Sequence, residues 1–275
     1  MPPVQARRAF QLPVGPSWRF ALYTPAGTAP RAALLHFPAW TEEMNKSRRA
    51  VQQATQAFQA NGIAVLQLDL YGCGDSPGEF EEASWAQWLS DLRHGLQWLR
   101  ATLPETPVLG WGLRAGALLG SALDAELDGH LWWQPVLQGK QALQQFLRLR
   151  LAAEMEGSGT KASMADLKAS LAQGAAVEVA GYLLPGALAG GLEAAQLQAP
   201  SKPSLWLEAS SQPEPALLPA TQQQLARWQL NGEHLSAQAL RDASPWAATE
   251  LEDCPALTEA SLNWLSQRFP RAEAP

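Results

Sequence analysis

The residue most able to decide what this chain does is Arg114, in Gly112-Leu113-Arg114-Ala115-Gly116. Val108, Leu109 and Trp111 before it form a short apolar run that reads as a buried strand. Ala115, Ala117, Leu118 and Leu119 after it read as the start of a buried helix. A strand that reverses at once into a helix lifts the middle residue to an exposed apex, and needs glycine on either side where chain packs against chain. A serine or cysteine at such an apex could attack a carbonyl. A guanidinium stays protonated and cannot. It can pair with a carboxylate, or bind a carboxylate or phosphate on a ligand.

The other groups that could do chemistry are few. Cys73, in the glycine-rich loop Tyr71 to Gly78, could act as a nucleophile if a cation such as Arg114 lowered its pKa. His234, in Asn-Gly-Glu-His after a strand expected at Trp228 to Leu230, stands where a general base would follow the last strand. Glu208 and Glu214 are the nearby carboxylates that could orient it, and His94 and His130 read as structural. Glu42, Glu43 and Arg49 lie at the start of a helix predicted over Glu42 to Gln59 and could face the same cleft. A buried Arg114 needs a carboxylate partner, and Glu42 or Glu43 is the first candidate. Nothing in the pattern calls for a metal or a cofactor.

These residues need a scaffold. Strands expected at Ala32 to Phe37, Ile63 to Leu70, Val108 to Trp111 and Leu131 to Trp133 alternate with helices, which predicts a mostly parallel sheet covered on both faces. An edge hairpin precedes them at 9 to 24. From about 136 to 200 glycines break the helical pattern repeatedly, and the segment reads as a helical lid over a single domain spanning 1–275. A strand at Ser204 to Ala209 and a final helix at Ala256 to Arg268 complete the α/β unit.

Three motifs give this reading a family. Gly112 to Gly116 resembles the nucleophile elbow of α/β-hydrolases, G-x-S-x-G, with arginine at the serine position. Asp69 to Gly78 resembles the D-x-x-G-x-G-x-S-x-G loop of the same superfamily, and His36-Phe37-Pro38 its His-Gly-x oxyanion loop. The resemblance implies an α/β-hydrolase fold with helices on both faces of the sheet. It also implies an oxyanion hole formed by Ala115 and the residue aligned with Pro38, which has no N–H to give. More narrowly, Phe37 to Arg49, Leu66 to Ser76, Trp111 to Leu119 and Leu131 to Arg150 are similar to the proteins called exosortase A system-associated hydrolase 2. That similarity implies a cytoplasmic protein and a setting, and a possible partner, in exopolysaccharide biosynthesis.

Composition limits the alternatives. With a formal net charge of -6 the chain has no electrostatic footprint for nucleic acid. No apolar run approaches the ~20 residues of a membrane span, and the N-terminus carries no apolar signal core. Two widely spaced cysteines suit a reducing compartment. Three functions stay open: a hydrolase-fold protein without serine chemistry that binds a small or glycan-linked anionic ligand, an ester, thioester or acyl-glycan hydrolase with another nucleophile, and a scaffold whose lid docks a protein.

Overall fold

The computed structural model describes residues 6–156, 162–229 and 234–270. In chain order the elements are β1 (Arg8–Val14), β2 (Ser17–Thr24), β3 (Ala32–Phe37), α1 (Thr41–Ala60), β4 (Ile63–Leu68), α2 (Trp85–Thr102), β5 (Val108–Leu113), α3 (Gly116–Ser121) and β6 (His130–Trp133). There follow α4 (Gly139–Glu156), α5 (Met164–Ala172), β7 (Val177–Val179), β8 (Tyr182–Leu184), α6 (Gly186–Ala194), β9 (Ser204–Ser210), α7 (Pro219–Trp228), β10 (Leu235–Arg241) and α8 (Pro255–Arg268).

Eight strands form one sheet in the order β1-β2-β4-β3-β5-β6-β9-β10. β1 and β2 enter antiparallel, and every pair from β4 to β10 is parallel. The central strands are buried on both faces, so they read as unbroken apolar runs rather than alternating ones. One face packs Leu35, Phe37 and Trp132 against α2 and α3 side chains such as Trp88, Leu92 and Leu118. The other packs Leu34, Trp111 and Trp133 against α1 and α8 through Val51, Phe58, Leu257 and Leu265. All parallel strands end at the same edge, where ligands gather in such sheets.

The segment inserted between β6 and β9 covers that edge. It is less helical than the sequence suggested. α4, α5 and α6 are joined by a hairpin, β7–β8. Its two turn residues, Ala180 (φ 50) and Gly181 (φ 83), both lie in the left-handed region, as a type I′ turn requires. Asn45 Nδ2 on α1 donates to the Tyr182 hydroxyl at 2.7 Å and fastens the hairpin to the sheet domain.

The last strand also differs from expectation. Trp228, read as the start of a strand, instead ends α7, and Gln229 caps that helix in the left-handed region. The strand is Leu235–Arg241, an edge strand with only Leu235 buried. Residue 230 lies outside the described residues.

Candidate functional site

The turn from β5 to α3 has the shape its glycines imply. Arg114 sits at the apex with φ 54. Its N–H donates to the Trp133 carbonyl at 3.0 Å, and its own carbonyl accepts from Ala117 at 3.2 Å and Val136 at 3.3 Å. A Cβ on Gly112 would lie 2.7 Å from Ala117 Cα, and one on Gly116 2.2 Å from the Phe37 carbonyl oxygen. Only glycine lets backbone approach backbone this closely.

The Arg114 side chain is 15% exposed and Glu43 is 22% exposed. Nε and Nη2 of Arg114 meet Glu43 Oε1 at 3.0 and 2.9 Å. Nη1 donates to the Gln134 carbonyl at 3.3 Å. Of the two acids that the sequence offered as partners, the structure pairs Arg114 with Glu43. A guanidinium has five N–H donors, so with these three contacts it keeps two unengaged among the described residues.

Arg114 opens into a cavity of about 310 Å³. Its floor and rim are Thr41, Glu42, Glu43 and Lys46 from α1, with Gln134 after β6. Trp40, Phe146 and Trp246 form aromatic walls, and α4 roofs it. Trp40 and Phe146 pack with centroids 4.9 Å apart. Lys46 makes no ion pair among the described residues. Among the described residues, three of the five non-glycine residues with positive φ, Thr41 (φ 52), Arg114 and Gln134 (φ 46), surround this one cavity. Each such residue costs about 1–3 kcal/mol, and such strain gathers at functional sites.

The other residues singled out from sequence are not brought here. His234 precedes β10 and its carbonyl accepts from Ser204 at 2.8 Å, at the start of β9. It therefore stands at the opposite edge of the sheet from Arg114 and is no base for this cavity. The misread strand caused the error. The loop after the true last strand, Asp242 to Cys254, contains no histidine, and it contributes Trp246 to the cavity. The remaining histidines are held elsewhere. His94 lies on α2 with Nδ1 2.8 Å from the Ser90 carbonyl, and His130 pairs with Asp124 at 2.8 Å beneath the sheet. Glu208 is buried and spent: it accepts from the Trp206 indole, the Leu218 N–H and the Thr221 hydroxyl. Glu214 is exposed in a loop.

Cys73 does not line the Arg114 cavity. Burial, reinforced by Asp69 and Asp91, pushes its thiol up to about 12, and the cation opposing this is Arg48, not Arg114. Its alkylation by iodoacetamide near pH 8 should run roughly a thousandfold slower than that of an ordinary cysteine, as followed by intact mass. Ser76 in the same loop donates to the Asp69 carbonyl at 2.5 Å and accepts from Phe20 N–H at 2.8 Å, bracing the turn. Asp69 Oδ2 holds the Asp75 N–H at 2.9 Å.

Arg49 pairs with Asp253 on the outer surface at 2.7 Å, half exposed, and does not face the cleft. His36 and Pro38 line a different cavity beneath α1. Of Ala115, His36, Phe37 and Pro38, none lines the Arg114 cavity. Ala115 is buried at the head of α3, and what comes nearest to Gly116 from the β3 loop is the pair of carbonyl oxygens of Phe37 and Pro38. Trp40, Gln134, Phe146 and Trp246 are cavity residues that sequence reasoning did not single out; for Trp246 only a correctly placed β10 could have pointed to it.

Among the described residues no cluster of three or more His, Cys, Asp or Glu could hold a metal ion. No described helix is long and apolar enough to cross a membrane.

Comparison with known proteins adds the following. No protein-family model matches the sequence, and no curated protein matches it. Solved structures do match. Est1E from Butyrivibrio proteoclasticus, with ferulic acid bound, superposes with a TM-score of 0.68 at 15% identity over 96% of this chain and all of its own. An α/β serine hydrolase without lid from Xanthomonas campestris gives 0.57 at 18% identity, over 98% of this chain and 100% of its own. A serine hydrolase homologue from Coxiella burnetii gives 0.56 at 11% identity, over 97% and 99%. The chain has the α/β-hydrolase fold.

Proposed function

We propose that the protein binds a small acidic ligand in the Arg114 cavity and does not cleave it. The observation that carries this reading is the Glu43-paired arginine at the apex of the β5–α3 turn, where a hydrolase of this fold needs its nucleophile. The pair is electrically neutral, so the cavity does not simply attract anions. Selection comes from geometry: two remaining Arg114 N–H groups, the unpaired Lys46 ammonium beside them, and the amides of Gln134 and Gln145. Trp40, Phe146 and Trp246 offer flat faces to a ring. A carboxylate or phosphate carried on an aromatic or sugar ring suits both halves. The similarity to exosortase-associated proteins supports a glycan-linked ligand of exopolysaccharide biosynthesis in the cytoplasm.

Three probes test this by calorimetric titration: ferulate, which Est1E holds, together with glucuronate and inorganic phosphate. At least one should bind the native protein, and Arg114→Ala should weaken it about tenfold or more, the value of a charge-assisted hydrogen bond or two. Equal affinity in Arg114→Ala, or turnover of an aryl ester by the native protein, would overturn the reading.

A further inference from the structure

A second cavity, of about 290 Å³, lies beneath α1 and shares no lining residue with the first. Strand register creates it. β3 and β4 pair in parallel with Leu34 beside Val65 and Leu35 beside Leu66, so the next step places His36 level with Gln67. Gln67 is in turn paired with Leu22 of β2. Side chains in such a row leave the sheet on one face, with strands about 5 Å apart. Leu22, Gln67 and His36 thus form one floor, and Met44 and Val51 of α1 close over it.

That floor carries two polar atoms with nothing to bond. His36 is 5% exposed and its Nδ1 has no partner among the described residues. The ring packs against Trp111 with centroids 4.6 Å apart, tilted by 50°. Gln67 Oε1 is also buried without a partner. A buried acceptor left unmade costs about 1–3 kcal/mol, so two in one cavity call for a donor. The lining carries one charge of each sign, Arg48 and Asp69, so a neutral hydroxyl donor is repelled by neither.

We infer that this cavity binds an aliphatic molecule ending in two adjacent hydroxyls, one donating to His36 Nδ1 and the other to Gln67 Oε1. Neighbouring hydroxyls match acceptors on adjacent strands, and the hydrocarbon part lies against Leu22, Met44 and Val51. A single hydroxyl can satisfy only one of the two.

The test compares 1,2-hexanediol with 1-hexanol, titrated into the full chain and read from the His36 imidazole resonances. The diol should shift them and bind about fivefold tighter, the worth of one more neutral hydrogen bond. Gln67→Met, which keeps the volume and removes the acceptor, should erase that preference without altering probe binding at Arg114. Equal affinities in the native protein would overturn the inference. So would an unmoved His36 with both compounds, which would mean that the cavity holds water only.

Discussion

Replacing Glu43 by alanine should destabilise the protein by about 3 kcal/mol, the low end for removing one partner of a buried ion pair. Arg114, largely shielded at 15% exposure, would keep its charge while losing both contacts to Oε1. The loss should lower the melting temperature by roughly 6–9 °C for a chain of this size. Removing both charges should be far milder. In Glu43→Met/Arg114→Met no unpaired charge remains, and aliphatic chains of similar volume fill the space. Thermal unfolding of the single and double variants checks this. If the double variant is as unstable as Glu43→Ala, the pair is not a charge-compensation device. The variants also separate stability from binding, since the double variant, which lacks the guanidinium, should lose the acidic probe, whereas Glu43→Ala, which frees two Arg114 N–H groups, should keep it.

Acid should weaken the fold through His36. Burial lowers its pKa from 6.5 to about 4, so the unfolded chain takes up a proton that the folded chain refuses. Stability is fully present above about pH 6.5, falls as pH drops below it, and is wholly lost below about 4. At about 1.4 kcal/mol per pH unit, that gap is worth about 3 kcal/mol. Asp69 and Asp91 act with opposite sign, because burial raises their pKa values. A comparison with His36→Phe cancels them. Between about pH 7 and pH 4.5, urea unfolding of the native protein should lose some 2–3 kcal/mol more than the variant does. Parallel pH profiles would refute the assignment.

Much of the architecture was legible because the central strands are buried on both faces. Ala32 to Phe37 and Val108 to Leu113 read as continuous apolar runs, and the glycines around Arg114 mark the sharp turn. Legibility failed where burial is partial. β10 is an exposed edge with weak alternation, so the alternating Trp228-Gln229-Leu230 reads as the strand instead, which puts His234 at the wrong end of the sheet. The hairpin at Val177 to Leu184 was hidden in a glycine-rich stretch, although Ala180-Gly181 between alternating residues was its signal. For the site, charge logic was enough to name two possible partners for Arg114. It could not show that Arg49 turns outward to Asp253, nor that His36 and Pro38 face a separate cavity. Those facts depend on side-chain direction across strands far apart in sequence.

The function proposed for the Arg114 cavity is to hold a ligand without cleaving it. The most direct measurement installs the missing nucleophile. Arg114→Ser protein, shown folded by its thermal transition, is treated with a fluorophosphonate and with an aryl acetate. No adduct at position 114 by intact mass and ester hydrolysis at the buffer rate are expected, since no histidine lines the Arg114 cavity. A stoichiometric adduct, or turnover above that of the native protein, would contradict it.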